Sequence, residues 1–265
     1  MYKFDLTKRK NESINIDALI EQPVCLFSNN NHEIYWLGIV QNTAFRCNTY
    51  LLVDNDEAII IDPGAIDTFS FIKKRVSEII SLDKLIAITL SHQDPDVAGS
   101  MSKWIELNPS IKVISTSRAN VLLKFYDSGE YDFIDASEIS EFRFSSGNKI
   151  NFVQSPFMHF PGAFTIYDTL SRYLFSGDVW AAIDINWTLI VDDFDAHTMV
   201  LDLFHTDYIA SNIAAKGFLQ NLGNLTINAI LPQHGSIISK YDVAAAKDYL
   251  NNLSCGLDLI YPDIV

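Results

Sequence analysis

The sequence is short of basic residues, of cysteine and of any long apolar run. Lysine and arginine number 19 against 33 aspartates and glutamates, a formal net charge of −14. Binding to nucleic acid or to an anionic membrane surface draws on clustered Lys and Arg, so neither is expected. The acid excess is read as solubility. Cys25, Cys47 and Cys255 are odd in number, far apart and in no C-x-x-C pair. They exclude a disulfide framework and point to a reducing, cytoplasmic setting, each as a small core residue rather than a ligand or nucleophile. No apolar stretch approaches a membrane span, and no apolar signal region follows the charged start from Met1 to Lys10. No Gly-, Pro- or Ser-rich linker and no solenoid-period repeat divides the chain.

What is there is apolar and β-branched. With 48% hydrophobic residues in 265, the chain can bury a sizeable core. Apolar runs bounded by turn chemistry predict strands over 33–40, 48–53, 57–61, 85–90 and 111–115, then 164–168, 172–176 and 227–231. A β-like stretch covers 138–157. The second and third strands form a hairpin through Asp54-Asn55-Asp56. Helical spacing appears over 66–80, with Lys73, Lys74 and Arg75 on the wet side, and again over 101–107, 117–126, about 196–222 and 241–253. Strands, β-α units, strands again and then helix-strand-helix predict an α/β fold, a four-layered αββα sandwich. It reads as one domain over 1–265, with 1–32 as an N-terminal extension packed on it.

The chemistry gathers at strand ends. The run 85–90 leads into Ser91-His92-Gln93-Asp94-Pro95-Asp96-Val97, one imidazole and two carboxylates at alternate positions. In an extended chain, alternate side chains share a side. The plain alternative is a polar loop in which an Asp caps the next helix. Three further strand ends carry the same kind of residue: His159 in Met158-His159-Phe160-Pro161-Gly162, Asp178 in Ser176-Gly177-Asp178, and His234 in Pro232-Gln233-His234-Gly235. One such residue is ordinarily a core histidine or a turn former. Four similar placements converge on a common rim. Three imidazoles and three carboxylates are too many for a closed tetrahedral zinc site and suit two metals sharing one carboxylate. Oxygen donors favour iron or manganese more than a thiolate set does. Asp62 reads as a turn former or supporting acceptor, and His32, His197 and His205 as structural or surface residues. Trp180 and Trp187 read equally as a wall over the metals and as packing.

These motifs resemble the metallo-β-lactamase superfamily, whose signature is H-x-H-x-D-H with a later His, a bridging Asp and a final His. The carboxylate in His92-x-Asp94-x-Asp96-Val97 resembles the flavodiiron branch. His159-x-Pro161-Gly162, Tyr167-Asp168, Leu174-Phe175-Ser176-Gly177-Asp178, His205-x-x-Tyr208, Pro232-Gln233-His234-Gly235 and Cys255-Gly256-Leu257-Asp258 are similar to the oxygen-binding diiron proteins that lack a flavodoxin domain. The resemblance covers roughly residues 33 to 260 and implies the metallo-β-lactamase fold. It implies two non-haem irons, one held by His92, Asp94 and His159, the other by Asp96 and His234, with Asp178 bridging. Asp94 is shorter than the usual Glu, and Val97 stands where many relatives have His, leaving the second iron an open position. Tyr208 is implied as a hydrogen-bond donor to a bound oxygen species.

The function this implies is binding and reduction of O2, or of NO at the same position, as an oxygen sensor or an oxidoreductase core. An oxidoreductase needs an external electron donor and a sensor a signalling partner. A homodimer is the assembly the resemblance suggests. The alternative is a dinuclear zinc or manganese metallo-hydrolase, and a third is a metal-free interaction protein.

Overall fold

The computed structural model describes residues 2–4, 6, 22–38, 44–127, 129–184 and 188–263. Eight strands lie side by side in chain order: β1 (Tyr2–Lys3), β2 (Val24–Asn29), β3 (His32–Trp36), β4 (Tyr50–Asp54), β5 (Glu57–Ile61), β6 (Leu85–Thr89), β7 (Lys112–Ser115) and β8 (Asp132–Asp135). A second sheet holds β9 (Glu141–Arg143), β10 (Lys149–Gln154), β11 (Phe164–Asp168), β12 (Tyr173–Gly177), β13 (Ala229–Pro232) and β14 (Ile238–Ser239). β5 to β8 pair in parallel, as do β12 and β13.

The strands alternate between two buried faces, the period-2 signature of a sheet covered on both sides. In β4 and β5, Tyr50, Leu52, Ile59 and Ile61 pack into the core between the sheets, against Phe164, Ile166 and Phe175. Leu51, Val53, Ala58 and Ile60 face the other way. There they meet α1 (Phe69–Ser77), α2 (Pro95–Ala98) and α3 (Met101–Leu107), through Ile72, Val76, Val97 and Trp104. α4 (Ser117–Leu123) follows β7. The outer face of the second sheet is covered by α5 (Phe194–Tyr208), α6 (Asn212–Leu222) and α7 (Val243–Asn251), and α8 (Leu257–Ile260) follows. The four-layered αββα sandwich predicted from the strand order is therefore present.

Several boundaries differ. The predicted strand over 33–40 ends at Trp36, and Val40 lies outside the described residues, as do Lys8 to Lys10 and Trp187. β2 occupies 24–29 as a strand between β1 and β3, where no periodicity was expected, and the polar edge strand β8 was also not predicted. The helical region 196–222 is two helices. Ile209 turns extended, and the C-terminal segment docks into the break through Gly256 N to Thr206 O, Leu257 N to Ala210 O and Asn212 N to Asp258 Oδ2. Arg75 is not on the wet side. It is 5% exposed, pairs with Glu78 at 3.2 Å and lies over the Phe71 ring, its stem covering apolar surface. Trp180 does not wall the metals either: it is fully buried, its indole N–H donates to Ala246 O, and it packs on Phe218.

Candidate metal centre

The strand ends converge where the two sheets meet. β6 ends at Thr89, and Ser91 N donates to Asp62 Oδ1 at 2.8 Å, so Asp62 is a buried supporting acceptor. Burial pushes its carboxyl up to about 6, although the Ser91 and His92 contacts pull it down. Ser91 Oγ stands 3.0 Å from His92 Nδ1 and fixes that ring, leaving Nε2 to point inward. The chain then leaves the extended form. Pro95 opens α2, and Asp94 at its N-cap makes no capping hydrogen bond. The expectation that His92, Asp94 and Asp96 share a side of an extended run therefore fails. The turn carries Asp94 and Asp96 to different neighbours.

Asp94 faces two imidazoles, with Oδ2 at 3.7 Å from His92 Nε2 and 3.4 Å from His159 Nε2. Asp96 Oδ2 lies 3.1 Å from His234 Nε2. Between the two groups stands Asp178, whose oxygens divide. Oδ2 is 3.5 Å from His92 Nε2 and 2.9 Å from His159 Nε2, while Oδ1 is 3.5 Å from His234 Nε2. Asp178 is set by Gly177, at φ +54, where a side chain would press on Ser91. His234 is set by the loop before β4. Its Nδ1 stands 3.0 Å from Arg46 O, Cys47 bridges to it through the backbone, and Phe45 stacks on its ring at 3.6 Å. Asn48 clamps the same loop, donating to Pro232 O and Gly235 O and accepting from the Trp36 indole.

Among the described residues, three of these inner atoms lack hydrogen bonds. His92 Nε2, His234 Nε2 and Asp178 Oδ1 are buried without a partner. Buried polar atoms in native proteins are almost always satisfied, so three orphans aimed at one centre call for cations. Donors bound to one ion at about 2.0–2.3 Å and near 90–110° lie about 3.0–3.7 Å apart, which is the spacing found. The donor set therefore fits two metal ions, the first among His92, Asp94 and His159, the second beside Asp96 and His234.

Without cations, the charges answer one another. Burial alone would raise Asp178, but the charges of His92, His159 and His234 hold it well below the usual carboxylate range. Burial would lower His159, and Asp178, Asp94 and Asp96 raise it instead. His234, also opposed by burial, is lifted chiefly by Asp96. Metals entering this centre displace imidazole protons.

A cavity of ≈ 290 Å³ opens onto the centre, lined by Phe45, Asp94, Asp96, His159, Asp178, Ile183, Phe204 and Tyr208. Tyr208 stacks on Phe204 at 4.8 Å, with its ring 6.2 Å from that of His159. Val97 is buried in the helix-side core and offers no donor. His205 is fully buried; its Nε2 accepts from Trp180 N and its Nδ1 meets Leu201 O, so it fixes the segment after Asp178. His32 lies elsewhere, between Asp54 and Asp168. Sequence reasoning missed Phe45, Asn48 and Phe204, because only the fold brings them to the rim. It also placed Cys47 in the core, whereas Cys47 stands beside Asp96 and His234.

The ODP family beta lactamase profile matches residues 45–235. The chain belongs to this family. The peroxy diiron species of the chemotaxis sensor ODP is 32% identical, with a TM-score of 0.80 over 91% of this chain and 99% of that one. The apo state of the chemotaxis sensor ODP from T. denticola is 33% identical, with a TM-score of 0.79 over 91% of this chain and 98% of that one. Among curated relatives, diflavin flavoprotein A 1 of Synechocystis sp. is 24% identical over 208 residues, 76% of this chain. The anaerobic nitric oxide reductase flavorubredoxin of Enterobacter sp. is 22% identical over 209 residues, 77% of this chain. The chain spans only 35% and 43% of those two proteins' own length.

Proposed function

We propose that this chain is a non-haem diiron protein that binds O2 at the Asp178-bridged centre and works as an oxygen sensor. The observation that carries this is Asp178 dividing its oxygens between two groups of orphaned donors under a small, largely apolar cavity. Two irons, when bound, supply the electrons and the open coordination that O2 or NO requires.

The chain's own residues do the rest. His92, Asp94 and His159 hold one ion, and Asp96 and His234 the other. Ser91 and the Arg46 carbonyl orient two of the imidazoles. Phe45, Ile183 and Phe204 limit water over the centre, and Tyr208 donates a hydrogen bond to the small ligand in the cavity. Sensing is favoured over reduction because the sensor relatives are 32% and 33% identical to this chain and the flavorubredoxin reductase 22%. A sensor needs a signalling partner, and an oxidoreductase core needs an external electron donor. The single domain over 1–265 and the homodimer belong to the same proposal.

The hydrolase reading, with two zinc or manganese ions, finds less support. Among the described residues, the cavity wall is apolar and acidic and includes no Lys or Arg to hold a phosphodiester or a carboxylate-bearing lactone.

The test is an oxygen titration of protein loaded anaerobically with iron. We expect O2 uptake that stops once the centres are filled, a new visible absorption band and no ester turnover. Sustained uptake with an added reductant would instead identify an oxidoreductase core. No uptake and no spectral response, with ester or phosphodiester turnover that follows zinc content, would overturn the proposal.

A further inference from the structure

The second group has a donor that the sequence pattern did not supply. Cys47 Sγ stands 3.6 Å from Asp96 Oδ2, and the ligand atoms of Cys47, Asp96 and His234 all lie within 4.8 Å of one another. A sulfur bound at about 2.3 Å and an oxygen bound at about 2.1 Å to one tetrahedral ion are separated by about 3.6 Å. His234 is 0% exposed, and its Nε2, aimed into this cluster, has no hydrogen bond. That orphaned nitrogen independently calls for a ligand at the same point. Cys47 is also placed firmly. Its backbone bridges to His234, and Asn48 N donates to Gln233 O, so the Cys47 backbone cannot drift from His234 without breaking the pairing of the two loops.

We infer that Cys47 is a thiolate ligand of the second metal, completing a set of Cys47, Asp96, His234 and bridging Asp178. This rests on the two-metal reading above and goes beyond it. On binding, the thiol proton leaves to solvent and the sulfur lone pair forms the metal bond, with no change of oxidation state. Each ion then has four protein donors, because His92, Asp94, His159 and Asp178 serve the first. The two sets differ in kind, since only the second contains sulfur. Val97 is buried in the helix-side core and supplies nothing at this position, and Cys47 reaches the second ion from the loop before β4. A thiolate favours softer metals at the second site than a carboxylate and imidazole set alone would.

The test uses cobalt(II) alone, titrated anaerobically into the metal-free chain in a non-thiol reductant. Wild type should bind two ions and develop one near-ultraviolet thiolate-to-cobalt band that grows with only one of the two equivalents. Cys47→Ser and Cys47→Ala should lose the band and bind that equivalent at least about tenfold more weakly, with the other unchanged. Cys25→Ser and Cys255→Ser should keep the band. X-ray absorption of zinc-loaded wild type, which needs no variant, should show one sulfur per two zincs at about 2.3 Å. Two bound metals with no sulfur neighbour, or a band that survives Cys47→Ser, would overturn the inference while leaving the two-metal centre standing. Failure of wild type to bind any second metal would overturn both.

Discussion

Histidine is buried against aspartate at both ends of this sandwich, with different results. At the end away from the metal centre, His32 of β3 lies between Asp54 of β4 and Asp168 of β11, at 2.7 and 3.2 Å, and so ties the two sheets together. Both carboxylates there take further donors. Asn148 donates to Asp54, and the Ser171 amide and hydroxyl donate to Asp168. At the other end, three imidazoles and three carboxylates turn inner atoms toward one another, and His92 Nε2, His234 Nε2 and Asp178 Oδ1 have no hydrogen bond among the described residues. Residue types are alike at the two ends, but His32, Asp54 and Asp168 are all buried, whereas Asp94, Asp96 and His159 are half-buried beside the cavity. His32 Nε2 and Asp168 Oδ1 also have no hydrogen bond, so orphaned atoms alone do not separate the two ends. What separates them is that His32 is one imidazole between two carboxylates that take further donors, whereas three imidazoles gather around Asp178 beside a cavity, with Ser91 Oγ and Arg46 O at the outer nitrogens of His92 and His234.

Removing one carboxylate from each end separates the two clusters by the largest effect. Asp178→Ala should retain neither metal after anaerobic loading and desalting, because both ions share it. Asp168→Asn should keep full metal content, and elemental analysis checks both. Next in size is His32→Leu, which strands two buried carboxylates. It should cost about 3–5 kcal/mol in urea unfolding with chelator present, without changing metal content in the folded protein.

Two buried histidines then separate by the sign of their pH dependence. His32 is raised: burial opposes its charge, but Asp168 and Asp54 outweigh it. Its contribution is whole below the unfolded pKa and is lost as pH rises through the folded one. Burial lowers His205 to about 4, and its Nε2 must stay unprotonated to accept from Trp180. The unfolded chain therefore binds that proton first, and stability falls as pH drops from about 6.5 toward 4, by about 3 kcal/mol at most. Urea unfolding across that range in chelator should show the slope, and His205→Gln should flatten it. The smallest effect is expected at Tyr208. Tyr208→Phe should leave metal content and fold unchanged and shift the lifetime of the oxygenated spectrum by a few-fold, about what one hydrogen bond contributes. An unchanged spectrum and lifetime would remove Tyr208 from the account.

The sheets were legible in the sequence because both of their faces are buried and the apolar runs are short and bounded. β4 to β6 are examples. What escaped was set by distant chain. The break at Ile209 is made by residues 255–258 docking there, and no local signal at 209–211 announces it. Arg75 reads as a wet-side cation until Phe71 and Glu78 are seen beside it. In the centre, the strand-end pattern led to six residues that the fold does bring together. It misread how Asp94 and Asp96 part, because a one-turn helix at Pro95 replaced the extended chain. Cys47 and Asn48 precede a strand instead of following one, so a search for polar residues after strands passed over them.

In the proposed centre Asp178 joins two metal ions held by different residues. The most direct measurement is an anomalous-scattering map from crystals of the iron-loaded protein. Two iron peaks are predicted about 3.5 Å apart, one among His92, Asp94 and His159, the other beside Asp96 and His234, with the Asp178 carboxylate between them. A single peak, or two peaks with Asp178 bound to only one, would contradict the account.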